Sequence, residues 1–341
     1  MEGSSVKKPV ILDVGNLFTK VGFCELEKTS PDHIFHSQEA EKIPDRVVDH
    51  SPSPLISDRT VTDWDSFEQI IQHAIWTKSK IKSSDHPLVL IEKPGLERSC
   101  RQKMVELAFE GLDVPEFYLA SEPVVALYSV GLSSGIVLSS SYMSSNVSTI
   151  HDGHRPPYGL VHLGFGGRDV TQYAMDLIKD ELGKEISIEE AEKLKCCHGQ
   201  FHAKDRTCNP GPEKLEEIGQ KIAEYVLNPK GDCMGFHKAI PRSIYLTDEE
   251  DDYEHVYFRN IMLCGGNSLF PGIKEKLEIE VKTPYYLTCG VRVIAPSFRQ
   301  HAAWVGGSIA ASLPTFKSFW ITKEDYSDYG ENILQRKCLP Y

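Results

Sequence analysis

The chain has 341 residues, with 37 Lys plus Arg against 49 Asp plus Glu and a formal net charge of −12. A hydrophobic content of 40% with 25% charged residues excludes a mainly disordered or fibrous chain and leaves room for one large domain or two medium ones. The acidic balance argues against a protein that grips phosphate backbones over a broad surface, without excluding one local basic patch.

No apolar run approaches the length of a membrane span. The stretch Met1 to Pro9 is polar and lacks the apolar centre of a secretory signal, so the expectation is a protein that stays inside the cell. Nine scattered cysteines, an odd number, suggest reduced thiols. Asn146-Val147-Ser148 is a formal glycosylation sequon, expected to be there by chance.

In chain order, Val10-Ile11-Leu12 predicts a strand, Asp13-Val14-Gly15-Asn16 a turn, and Lys20 to Phe23 a second strand. From Phe35 to Trp64 the chain is polar and proline-rich, which predicts an exposed loop or small insertion. Thr62 is the expected cap of a helix whose apolar face is Trp64, Phe67, Ile70, Ile71, Ala74 and Ile75. Leu88 to Ile91, between prolines, reads as a buried strand. A helix from about Arg98 to Leu112, a strand at Phe117 to Leu119, and a helix opening at Pro123 and ending by Gly131 follow. This alternation predicts α/β layers with parallel strands. Gly135 to Leu138, followed by the turn-prone Ser139 to Ser145, repeats the opening pattern, so two related halves are expected, each starting with a hairpin. A glycine turn at Gly164 to Gly167 precedes a helix. A polar stretch from Glu185 to Asp252 contains a helix starting near Pro212 and an acidic loop, Thr247 to Asp252. Strand Ile261 to Leu263 then leads through Cys264-Gly265-Gly266-Asn267 to a helix beyond Pro271.

These motifs together resemble the actin and actin-related protein family. Met262 to Ile273 resembles the family's adenosine-binding segment, and Ala303 to Leu313 its second connecting helix. Phe319 to Tyr326, through Arg336-Lys337-Cys338, is similar to its C-terminus, and Gly167 to Tyr173 to the segment after its second hairpin. The resemblance implies an α/β, actin-like fold shared with chaperone ATPases and sugar kinases, with two lobes around a central nucleotide cleft and reduced outer subdomains. It divides the chain into a first lobe at 1–130, with a shortened outer subdomain at 35–63, and a second lobe at 131–313, with a shortened outer subdomain at about 183–235. Residues 314–341 return to the first lobe.

The family clamps ATP phosphates between two hairpins, whose glycine turns donate backbone N–H groups and whose carboxylates hold a hydrated metal. In the first hairpin Asp13, Gly15 and Lys20 match the metal-shell carboxylate, the turn glycine and the phosphate lysine, while Asn16-Leu17 stands where the family has Ser-Gly. The alternative is that Asp13 and Gly15 only shape a turn. In the second, Ser139, Ser140, Ser141, Tyr142 and Met143 replace a pattern with two carboxylates and two glycines. Glu122 stands where the family positions water with Gln, and Asn146 where a His assists hydrolysis. On the adenosine side Glu192 matches a ribose-contacting acid. Gly265, Gly266, Asn267 and Phe270 keep the shape of the base pocket, and Gln300 replaces a lysine near the adenine. Loss of several parts of a phosphoryl-transfer site is not made good by the others, so a pseudo-ATPase is expected. It would need no metal and no cofactor, although ATP or ADP with Mg is the ligand the family implies.

Tyr128, Gly131, Leu313 and Thr315 match positions of the family's partner groove, from which His154 and Ala310 depart. Cys196, Cys197 and His198 with His202 and Cys208 are zinc-type ligands, but their spacing fits no standard finger. The 28 residues between Phe35 and Trp64 are too few for the family's filament-docking loop, and a subunit lacking half of a head-to-tail contact propagates no filament. The expectation is therefore a non-polymerising structural subunit in the cytoplasm and cytoskeleton. It would bind protein partners and no nucleic acid or membrane. The alternatives are a subunit of a nuclear chromatin-remodelling complex and a residual ATP-binding switch.

Overall fold

Three β-prone apolar residues in succession suit a strand buried on both faces, and β1 (Val10–Asp13) is buried at every position. The computed structural model describes residues 7–40, 55–57, 59–156, 158–201, 213–247, 254–285 and 290–338. The elements after β1 are β2 (Phe18–Phe23), β3 (His33–His36), α1 (Trp64–Gln72), β4 (Leu88–Glu92), α2 (Arg98–Glu106), β5 (Glu116–Ser121) and α3 (Glu122–Tyr128). Next come β6 (Gly135–Ser140), β7 (Ser145–Ile150), β8 (Leu160–His162), α4 (Gly167–Leu182), α5 (Ile188–His198), α6 (Glu213–Glu224), α7 (Phe236–Tyr245) and α8 (Glu254–Arg259). The last are β9 (Ile261–Cys264), α9 (Ile273–Tyr285), β10 (Val293–Ile294), α10 (Ala302–Ser312), β11 (Ile321–Thr322), α11 (Lys323–Tyr329) and α12 (Leu334–Lys337).

The chain forms two compact units, residues 1–133 with 301–341, and residues 134–300. Their strand orders are β11-β5-β4-β1-β2-β3 and β10-β9-β6-β7-β8. In each, an antiparallel meander places its first strand centrally, and parallel strands join that strand's free side after a helical crossover: β1 pairs with β4, and β6 with β9. The two hairpins, β1–β2 and β6–β7, thus hold the same place in the two sheets.

In the first unit Phe67, Ile70 and Ile71 of α1 and Met104 and Val105 of α2 bury one face of the sheet. α10 packs on the other face, where fully buried Trp304 donates its Nε1 hydrogen to Ile11 O at 3.1 Å. A Cβ at Gly306 would lie 1.6 Å from Val125 O, so glycine is what lets α10 approach α3. That packing puts α10 in the first unit, and the division falls at 300/301 where the sequence boundary stood at 313. In the second unit Val170, Ala174 and Ile178 of α4, Ile218 and Ile222 of α6 and Phe236 of α7 cover Ile136, Leu138 and Val147.

Other local readings are corrected. Asp63, not Thr62, caps α1, because its carboxylate accepts from Ser66 N. Phe35, Leu55, Ile56 and Val61 are buried, so the ends of the proline-rich stretch belong to the core and are not an exposed loop. Residues 41–54 and 58 within it lie outside the described residues, as do His202, Cys208 and the acidic residues 248–252. The described cysteines are free, and among the described residues no His, Cys, Asp or Glu group could hold a metal. No helix among the described residues is long and apolar enough to cross a membrane.

The C-terminal segment is held in the first unit by a buried cation. Arg101, 5% exposed, donates to Glu92 at 2.7 and 3.0 Å and to Cys338 O at 2.7 Å. Burial pushes the Cys338 thiol up to about 12. Arg101→Ala would leave Glu92 buried without this partner, and should cost about 3–5 kcal/mol, read as a lowered urea midpoint with early loss of the C-terminal segment to limited proteolysis.

Candidate functional site

In the first unit β1 ends on Asp13, which is 3% exposed. Its cross-strand neighbour Lys20 brings Nζ to 2.6 Å from Oδ2. Burial works to raise the Asp13 carboxyl, but the Lys20 and Lys93 charges and the Lys20 hydrogen bond outweigh it and hold the group below the usual carboxylate range. Lys93 follows β4 directly and pairs with Glu122 at 3.0 Å, where β5 hands over to α3. Glu122, which stands where the family has a water-positioning Gln, is thus ion-paired. Three parallel strands deliver this charged set at their carboxyl ends, the edge where open α/β sheets collect ligands. His301, just before α10, is held below the usual imidazole range by burial and by Lys20, against the opposing pull of Asp13.

The turn of this hairpin is tied down by its own chain. A Cβ at Gly15 would lie 2.5 Å from Phe18 O. Asn16 donates Nδ2 to Ile56 O at 2.8 Å and accepts from Ile56 N at 2.9 Å. Ser37 donates its hydroxyl to Gly15 O at 2.8 Å and its backbone N–H to Leu17 O at 2.9 Å. Leu17 itself is half-buried.

In the second unit the equivalent turn carries no carboxylate. Ser140 and Ser145 hydroxyls bond each other at 2.6 Å across the strands. Ser141 closes the turn on Ser144 O, with its N–H at 2.9 Å and its hydroxyl at 3.0 Å. The turn carbonyls accept from the start of α4: Gly167 N to Ser141 O at 2.9 Å and Arg168 N to Tyr142 O at 2.8 Å. Gly166 N donates to Asp169 Oδ2 at 2.7 Å. These are the helix-end donors that would suit an anion, and the chain itself uses them. A Cβ on Gly166 would lie 2.4 Å from Met143 C, so glycine permits the contact. Asn267 locks the far side, donating Nδ2 to Ser140 Oγ at 3.0 Å and Ser141 O at 3.2 Å. Gly265, at φ +87°, would place a Cβ 2.2 Å from Ser140 O. Ser139 and Asn146 are buried, whereas Tyr142 and Met143 are half-buried.

Glu192 lies on α5 with Lys195, whose Nζ is 2.7 Å from Glu192 Oε2 and 3.0 Å from Thr171 Oγ1. Lys195 is 6% exposed. The acid matched to ribose recognition is therefore already paired within its own unit. Phe270 is buried and abuts Gly199, Gly266 opens a 3-10 turn, and Gln300 lies in the 3-10 turn ahead of α10.

Of the groove positions, half-buried Tyr128 ends α3, and Gly131 follows at φ +73° with open space around it. Ala310 is buried in α10, and Leu313 and Thr315 are exposed beyond it. Tyr118 and Phe316 pack edge to face at 4.9 Å nearby, while Phe319 remains 48% exposed. His154 belongs to the second unit.

A duplicated sheet with a hairpin at the same place in each copy, one hairpin still carrying its aspartate and lysine, defines the class of fold. The family model described as Actin matches residues 4–228 and 211–339, and the chain belongs to the actin family.

Four side chains of the candidate site went unread in the sequence: Asn16 as a clamp, Lys93, Lys195 and His301. Lys93 carried a local signal, as a lysine at the carboxyl end of a buried strand, and Lys195 carried one in its spacing of three from Glu192.

The depressed Asp13 carboxyl adds stability above its unfolded value of about 3.9, and that contribution is lost as pH falls through the lower folded value. Asp13→Asn should flatten the acid limb of urea midpoint against pH and lower stability at pH 7 by about 1–3 kcal/mol, because Lys20 loses its counter-charge, whereas Lys93 keeps Glu122. A wild-type acid limb in the variant would assign the titration to another group.

Proposed function

We propose that this actin-family chain is a structural subunit that binds protein partners, hydrolyses no ATP and does not polymerise alone. The observation that carries this reading is the second hairpin, whose turn, without a carboxylate, accepts from the first N–H groups of α4. Phosphoryl transfer in this family rests on positioning and charge stabilisation, and a hydrated divalent cation calls for anionic ligands. Serine hydroxyls do not supply them. Asp13 is matched by Lys20 at 2.6 Å and Glu192 by Lys195 at 2.7 Å. The residues present do not fit magnesium–ATP held in the family's manner, and no cofactor is required in this reading.

Exposed Leu313 and Phe319, at 45% and 48%, over the Tyr118–Phe316 pair support a protein partner at the end of α10. The short 35–63 segment supports a subunit that cannot continue a filament. A cytoskeletal assembly in the cytoplasm is the setting we propose.

Purified protein should release phosphate from ATP no faster than the buffer blank. Its melting midpoint should stay unchanged in millimolar magnesium–ATP, since occupancy at 100 times Kd would add about 2.7 kcal/mol. A midpoint raised by several degrees, or turnover abolished by Asp13→Ala, would overturn the reading. Under magnesium and salt conditions that polymerise actin, the protein should stay in the supernatant after ultracentrifugation; filaments by electron microscopy would refute the assembly part.

A further inference from the structure

The first unit carries a groove of about 300 Å³ on the face opposite α10, between α1 and the end of α2. Its floor is apolar, formed by half-buried Trp64 and Leu107. Its walls carry Asp65 and Glu68 from α1 and Glu106 and Glu110 from the other side, against a single cation, Lys103. The groove exists because α2 does not continue as a regular helix. Residues Leu107–Gly111 form a π-helical turn, a feature that recurs at functional sites. Gly111 lines the same groove, and a Cβ there would lie 2.8 Å from Leu107 Cδ1.

Two observations show what this surface accepts. Lys103 Nζ stands 4.8 Å from the centre of the Trp64 ring, so the indole face already takes a cation. The phenol of Tyr326, which donates to Glu110 Oε1 at 2.8 Å, is pushed above its usual range by burial first, and then by Glu110, Glu106 and Glu331. Four carboxylates against one ammonium in the lining make this face net negative. These carboxylates are not arranged to share a metal, since no such group exists among the described residues. With an apolar floor beneath them, they suit a chain that presents cations beside an apolar anchor.

We propose that this groove docks a basic amphipathic segment of a partner protein, with an apolar side chain seated on Trp64 and Leu107 and Lys or Arg side chains paired to Glu106 and Glu110. Charge complementarity of this kind sets specificity and association rate more than raw affinity. The site is separate from the groove at the end of α10 and independent of any nucleotide.

The probe is a fluorescein-labelled helical peptide of about 14 residues, with Leu at every third or fourth position and Lys or Arg elsewhere, read by anisotropy. Wild type should bind it, and raising salt from about 50 to 500 mM should weaken binding at least tenfold. Glu106→Lys with Glu110→Lys should lose at least about tenfold, and the milder Glu106→Gln with Glu110→Gln about threefold, each with an unchanged circular dichroism spectrum at the assay temperature, although the loss of the Tyr326 hydrogen bond to Glu110 lowers the melt of the lysine variant. The same charge change on the exposed face of α4, Asp176→Lys with Asp180→Lys, should leave binding unchanged. Equal loss in that control would show that only the net charge of −12 attracts the peptide, and would overturn the proposal, as would wild-type affinity in both groove variants. Self-association of wild type in sedimentation, abolished by Glu106→Lys with Glu110→Lys, would also overturn it, because the occupant would then be a second copy.

Discussion

A charge at the buried end of a central strand has to be answered there. Asp13 closes β1 at 3% exposure, and an isolated carboxylate in that position would be costly to keep ionised. The hairpin supplies the answer through its register, which sets Lys20 directly across from Asp13. β4 adds Lys93, and Lys93 also meets Glu122. These groups form a set of opposed charges, Lys20 on Asp13 and Lys93 on Glu122, at the carboxyl ends of β1, β4 and β5.

The second copy meets the same demand by deletion. At the end of β6 stand hydroxyls in place of carboxylates, so the turn needs no counter-ion and spends its carbonyls on the first amides of α4. Glycine at 166 and at 265 makes both contacts sterically possible. The result is a main-chain lock between hairpin and helix, with Asn267 as a third strut. The serine turn is thereby tied to the helix that follows it. Mobile, ligand-dependent loops come from the opposite situation, in which backbone donors wait for an outside partner.

Much of this was legible in the chain. The apolar runs of β1, β4, β6 and β9, the glycine turns and the helical period of α1 each state their structure locally, because burial on both faces or on one stripe demands those residue types. The departures at Ser139, Tyr142, Met143 and Asn146 were equally plain once the second hairpin was set against the pattern of the family that the chain resembles. The short or mixed elements β8, α5, α7 and α8 were not, because their apolar residues answer to neighbours distant in sequence. Asp63 took the cap from Thr62 for a similar reason: both can cap, and the three-dimensional path of the chain decides which carries the non-helical backbone.

The sequence by itself determined the fold class, the duplicated plan and the absence of carboxylates from the turn of the second hairpin, since each depends on local residue type and period. Only the tertiary structure decided which charges meet. Lys195 lies three residues after Glu192, a spacing that permits contact, but its burial at 6% depends on α4 lying over α5 and presenting Thr171. Asn16 clamps Ile56 forty residues away. Lys93 finds Glu122 because β4 and β5 run parallel and in register at their ends. Electrostatic pairing inside a protein is set by distances of a few ångströms between strand ends, and chain order does not encode those distances until the sheet has formed.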